Sequence, residues 1–267
     1  MSSLQTSKIQ FAMLSHKGMS RQNNDDKVFA SPDLGLWLLS DGVGGLKQGE
    51  QASQYAIDEI SKSIKKGFNL HSAVHSAHSV IKAHNKHEQE DRGATVVAVH
   101  SNGADYEIAW VGDSRAYLWN QETGELTQLT EDHTLVQKLV NAGLLEQQEV
   151  KNHPKRHVIT QCLGIENETP LSIGSLNREW GYGESLLLAS DGLYEELSRQ
   201  EIIAALKLPR DNQAKVEYLV ELACKNGGSD NISLLLISSP VTEPQPKKKE
   251  TPIEKFITKI KTILKLG

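Results

Sequence analysis

Only two cysteines, Cys162 and Cys224, occur in 267 residues, and neither belongs to a spacing motif. That excludes a disulfide framework and points to a reducing compartment, so a cytoplasmic location is expected. No apolar run approaches the ~20 residues that a membrane-spanning helix needs. The first residues, Met1–Thr6, lack the charged start and apolar core of a secretory leader. Positive charge is also scarce. The net charge is -5, and seven lysines (Lys247, Lys248, Lys249, Lys255, Lys259, Lys261, Lys265) against three glutamates (Glu243, Glu250, Glu254) leave the segment from Val241 onward at +4, so the body carries -9. An acidic body argues against nucleic-acid binding, which depends on neutralising phosphates. A hydrophobic fraction of 38% and a mean hydropathy of -0.43 describe an ordinary globular chain.

What is present is a doubled phrase. Leu36-Trp37-Leu38-Leu39-Ser40-Asp41-Gly42 and Leu186-Leu187-Leu188-Ala189-Ser190-Asp191-Gly192 are both apolar runs that end in Ser-Asp-Gly. Each delivers a carboxylate to the rim of a sheet, beside a residue that lets other groups approach its backbone. Asp113 closes the run 106–112, and Asp230 precedes the run 232–237. Four acids at strand edges, far apart in sequence, suit an oxygen-lined site for hard cations. Asp-Gly is also a favoured hairpin turn. Here, however, Asp41 is followed by Gly42-Val43-Gly44-Gly45 and a helical pattern, and Asp191 directly by a helical pattern.

Periodicity predicts strands at 9–15, 27–30, 35–40, 94–100, 106–111, 116–119, 124–129, 171–176, 185–189 and 231–238. It predicts helices at 45–66, 70–88, 135–142, 198–205 and 212–224. Strand runs alternating with helix pairs imply an α+β fold, an α-β-β-α sandwich of two mostly antiparallel sheets flanked by helices. The domain is expected to span 1–240. A Pro/Lys-rich linker, 241–252, then leads to a short basic amphipathic helix at 253–267. That helix could lie on anionic membrane, dock on a partner or fold back on the body, and the linker favours the first two.

Further clusters complete the pattern: Arg21-Gln22-Asn23-Asn24-Asp25-Asp26, Gly112-Asp113-Ser114-Arg115 and Gly227-Gly228-Ser229-Asp230-Asn231. Smaller signatures accompany them, among them Gly18, Gly49-Glu50-x-Ala52-Ser53, Gly93-Ala94-Thr95 and Leu129-Thr130-Glu131-Asp132-His133. In this order, from about Lys8 to Ser238, they resemble the metal-dependent protein phosphatases of the PPM family, type 2C, and in particular their compact bacterial members.

The resemblance implies two Mn²⁺ or Mg²⁺ ions between the sheets. Asp41 would bridge both, Asp191 and Asp230 would hold one, and Asp25 with the Gly42 carbonyl would hold the other. Asp26 would act through a water, and Asp113 with Asp191 would hold a third, weaker ion. A metal-bridged hydroxide would attack phosphoserine or phosphothreonine, with Arg21 binding the phosphoryl group. Arg21 and Asp41 are thus the expected catalytic residues. Implied partners are phosphorylated Ser/Thr proteins, a cognate Ser/Thr kinase among them, and a monomer is expected. Departures stand out. Asp25 takes the place of a usual Glu, and Val43 that of a histidine or methionine. Glu195 follows Asp191-Gly192-Leu193-Tyr194, where an Asp often serves the third metal. The rival reading is a catalytically weak member that binds phosphoproteins or a kinase.

The stretch 143–157 falls at the family's mobile flap, and its His153, Lys155, Arg156 and His157 suit a phosphorylated partner as well as a solvated loop. His71, His75, His78, His84 and His87 read as a surface helix, Cys224 as core, and Trp37 and Trp110 as packing residues. His133 is expected to orient Asp132.

Overall fold

The computed structural model describes residues 8–43, 48–165 and 170–243. Two five-stranded sheets lie face to face, and every strand pair is antiparallel. One sheet is ordered β1 (Phe11–His16), β10 (Ile232–Ser238), β9 (Glu184–Ala189), β6 (Arg115–Asn120), β7 (Glu125–Gln128). The other runs β2 (Lys27–Ser31), β3 (Leu36–Ser40), β4 (Val96–Asn102), β5 (Asp105–Val111), β8 (Gly174–Glu179). The helices α1 (Gly49–Lys65) and α2 (Leu70–Glu88) cover the second sheet. α4 (Asp191–Tyr194), α5 (Arg199–Leu206) and α6 (Asn212–Asn226) cover the first, while α3 (Leu135–Asn141) follows β7.

The continuous apolar runs follow from this layering, because a central strand is buried on both faces. In β3, Trp37 and Leu39 enter the core between the sheets, whereas Leu36 and Leu38 pack beneath α1 and α2. In β9, Leu186 and Leu188 face the other sheet, and Leu187 and Ala189 face the outer helices. In β10, Leu235 and Ile237 point inward and Leu234 and Leu236 outward. Three apolar layers result, and the expected α-β-β-α sandwich is the observed one.

Several boundaries shift by a few residues, two of them for clear physical reasons. The strand expected at 171–176 is Gly174–Glu179, because β8 takes its register from β5, with Trp110 opposite Gly174 and Asp105 opposite Glu179. Leu171 and Ile173 pack on the α1–α2 core without joining the ladder. The expected strand at 94–100 begins at Val96, since Ala94 makes isolated bridges to Gly42 and Leu163 instead. The chain still packs at Val241, 5% exposed in the core between the sheets. The linker beyond 243 and the helix expected at 253–267 lie outside the described residues. Among the described residues no helix is long and apolar enough to cross a membrane.

Candidate metal centre

Both Ser-Asp-Gly phrases end at the same cleft, one after β3 and one after β9. The cleft holds about 700 Å³ and is lined by Arg21, Asp25, Asp41, Gly42, Asp113, Asp191 and Asp230, among others. Arg21 and Asp25 reach it from the β1–β2 connection, Asp113 from the β5–β6 turn and Asp230 from the α6–β10 connection. Thus seven of the eight candidate residues share one wall. The eighth, Asp26, sits behind it, 2% exposed. Arg156 and His157 of the 143–157 stretch and Glu195 also line the cleft. His153 instead accepts a hydrogen bond from the Lys155 amide, 3.2 Å away.

The serines of the doubled phrase prove to be anchors. Ser40 Oγ donates to the Thr95 carbonyl at 2.7 Å, and Ser190 Oγ donates to Asp26 Oδ2 at 2.9 Å. Thr95 cradles Asp41 from both sides: its amide donates to the Asp41 carbonyl at 2.7 Å, and its hydroxyl accepts from the Asp41 amide at 3.3 Å. The same hydroxyl lies 2.7 Å from Ser114 Oγ, which ties the Asp41 and Asp113 loops together. Gly42 leaves room for nothing more. A Cβ there would come within 2.5 Å of the Gly49 carbonyl carbon, so the glycine lets the start of α1 close over the loop.

Negative charge is concentrated here and only partly compensated, with Arg21 paired to Asp230. Burial pushes the Asp41 carboxyl well above its usual range, and Asp26, Asp191, Asp113 and Asp230 push it further. Asp191 is raised in the same way, by burial and then by Asp113 and Asp230. Burial lifts Asp113 to about 7, with Asp132 adding to it. Asp26 rises to about 6 through burial, opposed by the hydroxyls of Ser233 and Ser190. Its Oδ1 is buried and finds no donor; the Asp41 carboxyl is a neighbour in hydrogen-bonding reach. Two facing carboxyls need a proton or a cation between them. Among the described residues no three His, Cys, Asp or Glu side chains are yet drawn together as one ion's ligand set. The donor set is nonetheless all oxygen and rich in carboxylates crowded into one cleft, which fits hard divalent cations.

Several residues support the site in ways that the sequence did not show. Thr95 and Ser190 act through hydrogen bonds to distant backbone and side chains. Tyr194 Oη donates to the Asp113 carbonyl at 3.0 Å, joining α4 to the β5–β6 turn. Asp132 is held by Arg115, whose Nη2 lies 2.6 Å from Oδ2. The expected orienting role of His133 falls to that arginine, and His133 Nδ1 instead accepts from the Gly112 amide at 3.3 Å. Cys162 is buried with its thiol pushed up to about 11, and so is inert. Cys224 is half-buried at the edge of the outer core.

Comparison with known proteins agrees with this fold. The model of the family described as protein phosphatase 2C matches residues 15–217. The serine/threonine protein phosphatase PstP of Mycobacterium tuberculosis is 36% identical over 85% of this chain and 44% of its own length, so the chain spans less than half of that relative. The serine/threonine phosphatase stp of Listeria monocytogenes is 30% identical over 85% of this chain and 94% of its own. A crystal structure of the mycobacterial phosphatase superposes with a TM-score of 0.78 at 34% identity, covering 86% of this chain and 98% of that one. The catalytic domain of PstP has also been solved in complex with two manganese ions, with a TM-score of 0.73 at 32% identity over 86% of this chain and 97% of that one.

Proposed function

Because this chain belongs to the protein phosphatase 2C family, we propose that it is a Mn²⁺- or Mg²⁺-dependent phosphatase that hydrolyses phosphoserine and phosphothreonine in proteins. The observation that carries this is the convergence of Asp41, Asp113, Asp191 and Asp230 on one cleft beside Arg21, with buried carboxyls that demand positive charge. Asp41 would bridge two cations, Asp191 and Asp230 would hold one, and Asp25 with the Gly42 carbonyl would hold the other. Asp113 and Asp191 would share a third. When bound, such cations make hydroxide available near neutral pH and neutralise phosphoryl charge.

The chain's own residues do the rest. Arg21 offers a planar fork of donors suited to two phosphoryl oxygens. Asp26 stands behind Asp41, 2% exposed, and would act on the centre through a water. Val43 lines the cleft but has no titratable group, so that position cannot protonate the leaving serine or threonine oxygen. Positioning and charge neutralisation account for most of the catalysis expected in phosphoryl transfer.

The test is phosphate release from phosphoserine and phosphothreonine peptides with Mn²⁺, with EDTA, and in Asp41→Asn and Asp191→Asn. Loss of activity by about 100-fold or more in each arm is expected, and full activity in any of them would overturn the reading. Mn²⁺ binding without hydrolysis by the native chain would instead favour a phosphoprotein-binding role.

The finer assignment is a cytoplasmic monomer whose substrates include a cognate Ser/Thr kinase, with the helix at 253–267 as a peripheral contact to the inner membrane face or to a partner. Truncation after Glu243, which spares the buried Val241, should release the protein from a membrane or partner fraction without changing peptide hydrolysis.

A further inference from the structure

Asp25 and Arg21 lie on a connection with no regular secondary structure between His16 and Lys27, yet both must be placed to within fractions of an ångström to act on a phosphoryl group. One side chain from across the fold holds this segment at both ends. Asn231, 5% exposed, donates through Nδ2 to the carbonyls of Lys17 and Asn23, each at 2.9 Å. Its Oδ1 accepts from the Asp25 amide at 2.8 Å. The two accepting carbonyls bracket Arg21, and the donating amide belongs to the candidate ligand Asp25. A carboxamide matches this pattern because it presents two donors on one side and an acceptor on the other. Turning it over would set Oδ1 against two carbonyls and Nδ2 against an N–H.

We infer that Asn231 is a positioning residue, whose carboxamide holds the Arg21–Asp25 loop in register with its neighbour Asp230. Other contacts meet at the same seam. The Met19 and Ser20 amides both donate to the Gly228 carbonyl, at 2.7 and 3.3 Å. Gly18, at φ +76°, packs so closely that a Cβ would lie 2.0 Å from the Asp230 carbonyl oxygen. From Asp25 the order passes on, because its carbonyl accepts from the Gly42 amide at 3.3 Å. Asn231 thus connects the segment that would grip phosphate with the one that would grip metal. Asn231 itself borders the cleft, but its carboxamide is engaged by the loop, and the assignment rests on the reading of Arg21 and Asp25 given above.

Substitution Asn231→Ala in the full chain removes all three hydrogen bonds. Hydrogen exchange of the amides at 18–25 should accelerate by at least about tenfold, whatever the protein catalyses. Calorimetric titration with Mn²⁺ in the absence of substrate should show affinity weakened about tenfold, as is typical when a group supporting a metal ligand is lost. The KM for a phosphoserine peptide should rise by a similar factor. Ser101→Ala serves as the comparison, since Ser101 Oγ is buried and accepts from Trp180 Nε1 at 2.9 Å. That variant should lower the melting temperature without changing Mn²⁺ affinity, KM or exchange at 18–25. If Asn231→Ala does not fold, Asn231→Ser, which keeps one short hydroxyl, gives the same readouts at smaller amplitude. Unchanged exchange at 18–25 overturns the staple. Faster exchange with Mn²⁺ affinity and KM both within twofold of the native chain overturns the positioning role. Faster exchange and weaker Mn²⁺ binding in a chain that hydrolyses no phosphopeptide would uphold the positioning of the metal arm while refuting the phosphatase reading.

Discussion

Arg21 Nη2 lies 2.7 Å from Asp230 Oδ2, so the guanidinium expected to hold phosphate is engaged by a carboxylate expected to hold a cation. The two side chains are 46% and 32% exposed, and a pair this open contributes at most about 1 kcal/mol. It is weak enough to exchange for a better partner on either side. A cation that takes Asp230 should therefore free Arg21 for an anion. In EDTA-treated protein, Asp230→Asn should bind inorganic phosphate a few-fold more tightly than the native chain, because Arg21 loses its competitor and the cleft loses a negative charge. Isothermal titration with phosphate measures this. Equal or weaker binding by the variant would show that the pair does not restrain Arg21.

The acids of the cleft give the metal-free protein a definite pH dependence. Asp26 at about 6 and Asp113 at about 7 both titrate above the ordinary 3.8 of an aspartate. Between the two values the folded state keeps protons that the unfolded chain releases. Their contribution to stability therefore falls as pH rises from about 4 to about 7, and Asp41 and Asp191, raised by the same burial and like charge, add to the fall. Thermal melts in EDTA should show a lower midpoint at pH 8 than at pH 5. Asp113→Asn should flatten its share of that slope, and Mn²⁺ should raise the midpoint most at pH 8, where protons compete least. A midpoint that rises with pH in EDTA would contradict the strain assigned to these carboxyls.

The layers and the cleft acids were legible for a shared reason. A strand buried on both faces leaves an unbroken apolar run, as in Leu36–Leu39 and Leu186–Ala189, and its end fixes where the next residue emerges. Asp41 and Asp191 could be placed at a rim in this way. The helical patterns that follow them then separated them from hairpin turns. Asn231, Thr95 and Tyr194 stood inside quoted motifs, but their roles were not legible, because each works by hydrogen bonding to groups remote in the chain. Asn231 reaches Asp25 across 206 residues. Edge strand β8 was displaced for a related reason: its register is imposed by β5, and the apolar Leu171 and Ile173 satisfy a helix layer rather than a ladder.

Backbone crowding at the glycine loop predicts an asymmetry between two alanine substitutions. A Cβ on Gly42 would lie 2.5, 2.6 and 2.7 Å from backbone atoms of Gly49, which cannot swing aside. A Cβ on Gly49 would meet Gly42 at 3.1 to 3.3 Å, a tighter fit than usual but one open to small adjustment. Gly49 also gains about 1 kcal/mol of helix propensity on becoming alanine. Gly42→Ala should therefore cost about 1–3 kcal/mol and Gly49→Ala close to nothing. Urea denaturation of the EDTA-treated variants separates the two, and equal losses would refute the account of Gly42.

Arg156 stands where the main cleft opens into a second one of about 370 Å³, and both are lined by Asp113, Arg156, His157 and Glu195. Its Nε lies 3.5 Å from Glu195 Oε2, with both side chains about one-third exposed, so the pair holds the arginine loosely. On the reading that a peptide sends one flank past this junction while a small aryl phosphate stays in the main cleft, the two substrates should report differently on Arg156. Arg156→Ala should accordingly raise the KM for a phosphoserine peptide by about three- to tenfold and leave the KM for an aryl phosphate near its native value. Glu195→Gln, which frees the guanidinium, should shift the peptide KM in the opposite direction. Parallel changes for both substrates would place Arg156 at the phosphoryl group itself, and no change for either would remove the second cleft from the peptide's path.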